Sequence, residues 1–273
     1  MISDEEKNYK HKEFTETGYN VTPDMVELIK EFDIPLHWLI GAPGIYAKKL
    51  TLTRVLAQYE IFKRIQNVPG SIVECGVFQG AGLLFYAKLL EIFCPGDRWK
   101  KVIGFDTFDG FVDIHEADKS KASEAADAKG AESDPSQPKY EQVFKGGYSS
   151  SGFYEILKRL VDIHHKDSFV ANGERISLVQ GDVSETIPQF KKEHGGERIS
   201  LLVLDMDLYE PTLCALEHFY DMVTPGGIVV LDEYGHRRWP GESSAFDDFF
   251  GKDAPKLEKF GWSSTPGAFF VKS

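Results

Sequence analysis

Short apolar runs alternate with amphipathic stretches along most of the chain. Runs rich in β-forming residues lie at 71–73, 102–108, 176–182, 199–207 and 228–233. Between them, apolar residues recur at the three- and four-residue spacing of helices, most clearly at 81–93 and in the segment that begins at Pro211. This order predicts an α/β fold, a doubly wound, mostly parallel Rossmann-like sheet. A run at 268–272 predicts an antiparallel C-terminal strand, paired in a hairpin with a possible strand at 257–262.

The first 70 residues depart from this alternation. A helix is predicted near 23–32, and a second helix from Thr51 that ends before Pro69-Gly70. We expect residues 1–70 to form an N-terminal helical cover and residues 71–273 to form the main domain. Arg54 lies on the second helix, where it could meet a ligand carboxylate or remain solvated on the helix face.

The segment 113–142 carries charged and small residues with almost no large apolar ones. It cannot bury enough surface to join a core, so it predicts a long loop. The loop leaves the sheet at the strand ends where α/β proteins bind ligands, and it is therefore either a lid over the substrate or a disordered insert. Residues 146–151 are its expected second hinge, followed by a helix cap.

Composition restricts the class of partner. The chain has 273 residues, 42% of them hydrophobic, and a net charge of −12. This charge argues against nucleic-acid and anionic-membrane partners, because both would be repelled. The N-terminus lacks an apolar signal region, and no window reaches the roughly 18 apolar residues of a membrane span, so a cytoplasmic protein is expected. Three cysteines without C-x-x-C spacing indicate reduced thiols rather than disulfides or zinc.

A glycine turn follows the first predicted strand, in the pattern E-x-G-x-x-x-G-x-G formed by Glu74, Gly76, Gly80 and Gly82. The glycines allow a ligand to approach the backbone, and the following helix offers free N–H groups to a carboxylate or phosphate. Glu74 would repel a pyrophosphate but would pair with an α-amino group, and the spacing differs from that of nicotinamide-binding turns. Asp106 is placed to bind ribose hydroxyls. S-adenosylmethionine combines both groups; a purely structural turn is the alternative.

Acidic residues end the two predicted strands that follow one another late in the chain. Asp205 ends one strand, and Asp232 and Glu233 end the next. Parallel topology makes these ends neighbours, so three carboxylates should converge. Hard oxygen ligands suit Mg²⁺, Ca²⁺ or Mn²⁺, and such a cation would bind a substrate hydroxyl and lower its pKa.

Further residues near these acids are candidates for catalysis. Strand alternation would place Asp205 and Asp207 on one face, so either could be the metal ligand and the other the general base; Asp205 is preferred in both roles. His236 could accept a proton near neutral pH, or simply lie on the surface. The alternative to a metal site is that the acids cap helices or pair with Arg237, Arg238 or His236.

Five motifs occur together in one order, namely VPGSIVECGVFQGAG (68–82), FDTFDGF (105–111), GDVSETIP (181–188), LDMDLYEPT (204–212) and VTPGGIVVLDEYG (223–235). In this respect residues 50–250 resemble the macrocin O-methyltransferase family, the TylF/MycF/NovP-like sugar O-methyltransferases. The resemblance implies a class I methyltransferase fold, S-adenosylmethionine as the methyl donor and Mg²⁺ as cofactor. It also implies homo-oligomers that methylate sugar hydroxyls of natural products.

The resemblance assigns site residues to this chain. It implies donor contacts by Glu74, Gly76 and Asp106, and places Asp182 near the adenine. The same motifs extend the expected donor site to Gly80, Gly82, Thr107, Phe108 and Val183. It implies metal ligation by Asp205, Asp232 and Glu233, although the family usually has Asp-Asp where this chain has Asp232-Glu233. The insert after Phe111 is longer than usual, so the acceptor does not transfer with the fold.

Together these features predict a magnesium-dependent O-methyltransferase that acts on a hydroxyl of a small molecule, a sugar of a glycosylated natural product. The deprotonated hydroxyl would attack the donor methyl in line. The alternatives are a metal-independent methyltransferase of the same fold and a non-catalytic protein that binds S-adenosylmethionine as a scaffold.

Overall fold

The computed structural model of the chain describes residues 22–119, 145–169 and 174–273. Most of the predicted insert and the first part of the predicted N-terminal cover lie outside these residues. The strands are β1 (Ser71–Cys75), β2 (Val102–Asp106), β3 (Ile176–Gln180), β4 (Ile199–Leu204), β5 (Val223–Leu231) and β6 (Ala268–Val271). The helices are α1 (Thr22–Glu31), α2 (Leu36–Gly41), α3 (Pro43–Tyr46), α4 (Lys49–Ile65), α5 (Ala81–Phe93), α6 (Ser151–Lys166), α7 (Val183–Glu193), α8 (Tyr209–Phe219) and α9 (Pro240–Phe250).

The six strands form one sheet in the order β3-β2-β1-β4-β5-β6. All neighbours pair in parallel except β5 and β6, which are antiparallel. The central strands β1 and β4 are buried along their whole length, as their aliphatic sequences require. The predicted doubly wound fold, with an antiparallel C-terminal strand, is confirmed.

Helices cover both faces of the sheet. On one face α4, α5 and α6 pack through residues such as Phe62, Leu83 and Leu157 against Ile72 of β1. On the other face α7, α8 and α9 pack against Val73 of β1 and its neighbours. Successive residues of one strand therefore enter opposite cores, and the strand ends remain at the edge of the layers.

Three local predictions were wrong. Strand β4 ends at Leu204, so the alternation argument does not reach Asp205 and Asp207, and Asp207 has a left-handed φ of 64°. The fifth strand, predicted to begin at residue 228, begins at Val223 and includes Pro225, Gly226 and Gly227, where the pairing register with β4 shifts. Such an irregularity tolerates a proline that has no N–H to donate. The predicted hairpin before β6 is reduced to one isolated bridge, between Glu258 and Phe269.

Among the described residues, no helix is both long and apolar enough to cross a membrane.

A buried ion pair joins helix α5 to the edge of the sheet. Arg175 precedes β3, and its Nε lies 3.2 Å from Glu91 Oε1; the two side chains are 4% and 7% exposed. Arg175 also donates hydrogen bonds to the carbonyl oxygens of Leu90, Cys94 and Pro95. These carbonyls lie at the C-terminal end of α5 and just beyond it, where helix carbonyls lack partners within the helix.

Replacing Arg175 by Met should lower the free energy of unfolding by about 3 kcal/mol, because Glu91 would remain buried without its charge partner. Equilibrium denaturation would measure the change. Arg159, exposed on α6, is the matched control, and its replacement by Met should change stability by less than about 0.5 kcal/mol. Equal effects of the two substitutions would contradict this account of the ion pair.

Candidate active site

A cavity opens at the carboxyl edge of the sheet, where strands β1 to β4 end. It brings together seven residues predicted for the site from the sequence, namely Gly76, Asp106, Thr107, Asp182, Val183, Asp205 and Asp207. The remaining predicted residues, which are Glu74, Gly80, Gly82, Phe108, Asp232, Glu233 and His236, are not part of its lining. A second opening adjoins the cavity beside Gly110, Phe111 and Gly146.

Glu74 lies near the end of β1 and is 2% exposed. Its Oε2 atom has no hydrogen-bond partner among the described residues. Burial raises the pKa of Glu74 well above its usual range, the charge of Asp205 raises it further, and Arg54 opposes the shift. A buried carboxylate oxygen without a partner is unfavourable, and a cationic ligand group such as an α-amino group would relieve it.

The glycines of the turn make room for the protein itself. A side chain at Gly82 would overlap the carboxylate of Glu74, and one at Gly76 would overlap the backbone carbonyl of Asp205. Gly80 has a φ of 82°, and a side chain there would overlap Leu157 of α6. The space beside these glycines, predicted to admit a ligand, is therefore occupied by other parts of the protein. The absence of a side chain at Gly76 lets the ends of β1 and β4 lie close together.

Asp106 joins the loops that follow β1 and β2. Its Oδ2 accepts a hydrogen bond from the backbone N–H of Phe78 at 2.7 Å, and its Oδ1 accepts one from Phe108 at 2.6 Å. Phe78 and Phe108 both have left-handed φ angles, 50° and 59°. Burial raises the pKa of Asp106, and these hydrogen bonds oppose the shift. Each oxygen retains a second lone pair, so ribose hydroxyls can still donate to it.

Other predicted donor residues have structural roles of their own. The Phe108 side chain lies in the core and stacks on Tyr154 at a centroid distance of 4.3 Å. Asp182 caps α7 by accepting a hydrogen bond from Ser184 N at 2.9 Å. Thr107 Oγ1 donates to Gly110 O at 2.8 Å. Their contacts with a methyl donor remain predictions.

Asp205 and Asp232 follow the adjacent strands β4 and β5 and both contact Arg54 of α4. Arg54 Nη2 lies 2.6 Å from Asp205 Oδ2 and 3.4 Å from Asp232 Oδ2. The charge of Asp232, followed by those of Asp205 and Glu74, raises the pKa of Arg54, so the guanidinium is charged. Burial raises the pKa of Asp232, and Arg54 opposes that shift. Arg54, which the sequence indicated only as a possible contact for a ligand carboxylate or a solvated side chain, is instead the partner of these acids.

Glu233 and His236 lie behind the cavity lining. Glu233 Oε2 is 3.5 Å from His236 Nδ1, and Glu233 N donates to Glu242 Oε1 at 3.0 Å. Burial, followed by the charge of Asp207, raises the pKa of Glu233 to about 8, and burial lowers the pKa of His236. Glu242 is fully buried and was missed, because a single acid beyond the recognised motifs has no signal that distinguishes it.

Within residues 22–119, 145–169 and 174–273, no group of three or more His, Cys, Asp or Glu side chains is arranged to hold a metal ion. The predicted ligands Asp205 and Asp232 are near one another, and Arg54 contacts an oxygen of each.

Aromatic side chains form one wall beside the cavity. Tyr148 contacts Phe78, Phe111 and Trp239 at ring-centroid distances of 5.9, 5.5 and 5.7 Å. Phe111 exchanges backbone hydrogen bonds with Gly146 and Gly147, at 2.8 and 2.9 Å. This pairing closes the two ends of the insert and places both aromatic segments at the cavity. No pattern in the sequence indicates this wall, since its members are far apart in the chain.

The first residues of the predicted insert are anchored rather than loose. Asp118 is 2% exposed; its Oδ1 accepts a hydrogen bond from Tyr209 N at 2.7 Å and its Oδ2 accepts one from His115 N at 2.8 Å. His115 stacks on Tyr209 at a centroid distance of 4.6 Å. Residues 113–119 are therefore docked on the start of α8, two residues beyond Asp207, and the rest of the segment predicted as a lid or a disordered insert lies outside the described residues.

Comparison with known proteins identifies the family of this chain. The family model described as macrocin-O-methyltransferase (TylF) matches residues 54–258. A tetracenomycin-pathway relative from Streptomyces olivaceus, 8-demethyl-8-(2,3-dimethoxy-alpha-L-rhamnosyl)-tetracenomycin-C 4'-O-methyltransferase, is 27% identical over 229 residues. That match covers 79% of this chain and 70% of the relative.

Solved structures of the calicheamicin methyltransferase CalS11 are also similar. One has a TM-score of 0.81 and 28% identity, covering 95% of this chain and 94% of that one. The apo structure, described as a TDP-rhamnose 3'-O-methyltransferase, has a TM-score of 0.71 and 28% identity, and covers 92% of each chain. Since the family model matches most of the chain, this protein belongs to the macrocin O-methyltransferase (TylF) family and is an S-adenosylmethionine-dependent O-methyltransferase.

Proposed function

We propose that the protein methylates a sugar hydroxyl of a glycosylated natural product and that Mg²⁺ assists the transfer. The observation that carries the proposal is the cavity itself, where the carboxylates Asp205 and Asp207 face the same opening as the aromatic side chains Phe111 and Tyr148. A sugar offers hydroxyls to the first group and apolar C–H surface to the second.

The donor end of the proposed site is formed by β1 and β2. Glu74 supplies a buried carboxylate with an unpartnered oxygen for the donor α-amino group. Asp106 supplies lone pairs for the ribose hydroxyls and holds the two loops together through Phe78 and Phe108. These residues position the methyl donor, whose sulfonium already carries the leaving group.

Replacing Glu74 by Gln should weaken S-adenosylmethionine binding by about 10- to 100-fold, because a charge-assisted hydrogen bond is lost while the side-chain shape is kept. Calorimetric titration would measure the dissociation constant. Glu60→Gln is the matched control, since Glu60 is partly exposed on α4 and pairs with Lys63. Unchanged donor affinity in Glu74→Gln would remove the proposed role of this carboxylate.

The acceptor is proposed to be a glycoside rather than a nucleotide-activated sugar. The Streptomyces relative acts on a rhamnosyl group attached to an aglycone, whereas the CalS11 structure is described as a TDP-rhamnose enzyme. Within the described ranges, no Lys or Arg lines the cavity beside Asp205, which instead carries six acids, Asp106, Asp113, Asp182, Asp205, Asp207 and Glu210, and Lys145 lines the adjoining opening. Carboxylates at this density would repel a diphosphate.

A rhamnosylated aglycone should be methylated with at least about 100-fold higher kcat/KM than TDP-rhamnose, because the diphosphate would meet an excess of negative charge in the cavity. Methyl transfer from radiolabelled donor, followed by mass spectrometry, would measure both rates. The sugar-free aglycone is the control and should give no product. Preferential turnover of TDP-rhamnose would reverse the acceptor assignment.

The donor chemistry of Asp205, Asp232 and Glu233 fits a hard divalent cation. These carboxylates follow adjacent strands, and Asp232 Oδ2 is buried without a hydrogen-bond partner among the described residues. Mg²⁺, when bound, would supply a Lewis acid that lowers the pKa of the acceptor hydroxyl. In this proposal Asp205, which lines the cavity, also accepts the hydroxyl proton, and Asp207 is the second candidate for that step.

Replacing Asp232 by Asn should lower turnover by at least about 100-fold and weaken Mg²⁺ binding, while leaving S-adenosylmethionine affinity within about twofold of wild type. Chelation of wild type with EDTA should have the same effect on turnover and be reversed by Mg²⁺. Asp247→Asn, exposed on α9, is the control. Full activity of wild type in EDTA would favour the metal-independent alternative.

We also propose a homo-oligomer in the cytoplasm. The N-terminal helices α1, α2 and α3 contain no buried residues. Large apolar side chains in and beside them are exposed, namely Phe32, Leu36, Trp38, Ile40 and Ile45. A second copy of the chain would cover this apolar surface. The three cysteines are unpaired, as a reducing compartment would keep them.

A further inference from the structure

Arg54 lies where the proposed cation would have to bind. A single guanidinium nitrogen, Nη2, contacts both Asp205 Oδ2 and Asp232 Oδ2, at 2.6 and 3.4 Å. Mg²⁺ draws carboxylate oxygens to about 2.0–2.1 Å and adds two positive charges, so the guanidinium and the metal exclude each other there. We propose that Arg54 is a built-in competitor of the divalent cation, which must withdraw before the metal binds. This inference rests on the proposed metal dependence.

The position of Arg54 on α4 allows such a withdrawal. Ala57, Gln58 and Ile61 are buried on the sheet-facing side of this helix, and Arg54 continues that side one turn earlier. Its side chain is nevertheless 40% exposed, whereas that of Asp232 is 6% exposed. The side chain therefore borders solvent, and a change of rotamer would carry the guanidinium outward without moving the helix.

The ion pair supplies a positive charge to the acids but does not satisfy all of their hydrogen-bond acceptors. Arg54 Nη2 donates a hydrogen bond to Asp205, but Asp232 Oδ2 has no hydrogen-bond partner among the described residues even though the guanidinium is 3.4 Å away. Glu74 and Glu242 are two further buried carboxyl groups in this acidic cluster. The guanidinium charge of Arg54 thus stabilises the protein without metal, while Asp232 Oδ2 remains available to coordinate a cation directly.

Two consequences follow from this competition. The metal affinity of wild type is lower than that of a site formed by the same carboxylates without Arg54, since the ion pair must be broken first. The metal-free protein is more stable with Arg54 than without it, because the buried acids would otherwise have no counter-charge. A residue that merely packed on the sheet would produce neither effect.

The test compares metal-free wild type with Arg54→Gln by calorimetric titration with MgCl₂ and by thermal unfolding. Arg54→Gln should bind Mg²⁺ about tenfold more tightly. Without metal its unfolding midpoint should fall by about 4 °C or more, and saturating Mg²⁺ should restore it. Arg54→Lys, which keeps the charge on a shorter donor, should lie between the two.

Arg64→Gln is the matched control. Arg64 lies on the same helix, is 43% exposed and pairs with Glu258 at 2.9 Å, so its replacement removes the same charge far from the cavity. Its Mg²⁺ affinity should equal that of wild type, which excludes a general effect of net charge.

Each other outcome separates this inference from the proposed function. If wild type binds Mg²⁺ and Arg54→Gln binds it no more tightly, the competition is overturned while the metal proposal stands. If only Arg54→Gln binds Mg²⁺, the competition is supported and metal dependence of the wild-type enzyme fails. If neither protein binds Mg²⁺ at millimolar concentration, both are overturned.

Discussion

The crowding of carboxylates at one edge of the sheet is the constraint on which the site depends. Glu74, Asp232 and Glu242 are almost completely buried there, and Asp205 and Asp207 border the same cavity. Buried ionised acids are strongly unfavourable without a positive partner. Arg54 supplies that charge from α4, which packs on one face of the sheet. This helix therefore contributes a charged side chain to the site as well as apolar side chains to the core.

The closeness of these acids depends on small residues and on hydrogen bonds between loops. Gly76 lets the end of β1 lie against the backbone of Asp205, and Gly82 leaves room for the Glu74 carboxyl. Asp106 holds Phe78 and Phe108 in left-handed conformations that cost free energy in isolation. The strained backbone is concentrated where a ligand is expected, because there the surrounding hydrogen bonds determine the conformation of the loops.

The start and the end of the insert form the side of the cavity where we propose that the acceptor binds. Asp118 docks the start onto the N-terminus of α8, and the pairing of Phe111 with Gly146 and Gly147 returns the chain beside it. Tyr148 then reaches the rings of Phe111 and Trp239. Both ends of the insert that follows β2 are therefore ordered by specific contacts. Its aromatic side chains lie beside the acids that we propose take part in catalysis.

Local pattern alone was enough to determine the strand and helix order, the antiparallel last strand and the acids that end β4 and β5, because periodicity and buried runs reflect interactions close in sequence. The family resemblance came from motifs that lie along the chain. Tertiary structure decided which partner each acid has. Arg54 and Asp205 are 151 positions apart, as Asp118 and Tyr209 are 91 apart, and no periodicity reports such pairs. Whether a carboxylate faces a metal, an arginine or a backbone amide depends on the packing of distant elements, which a single sequence does not display.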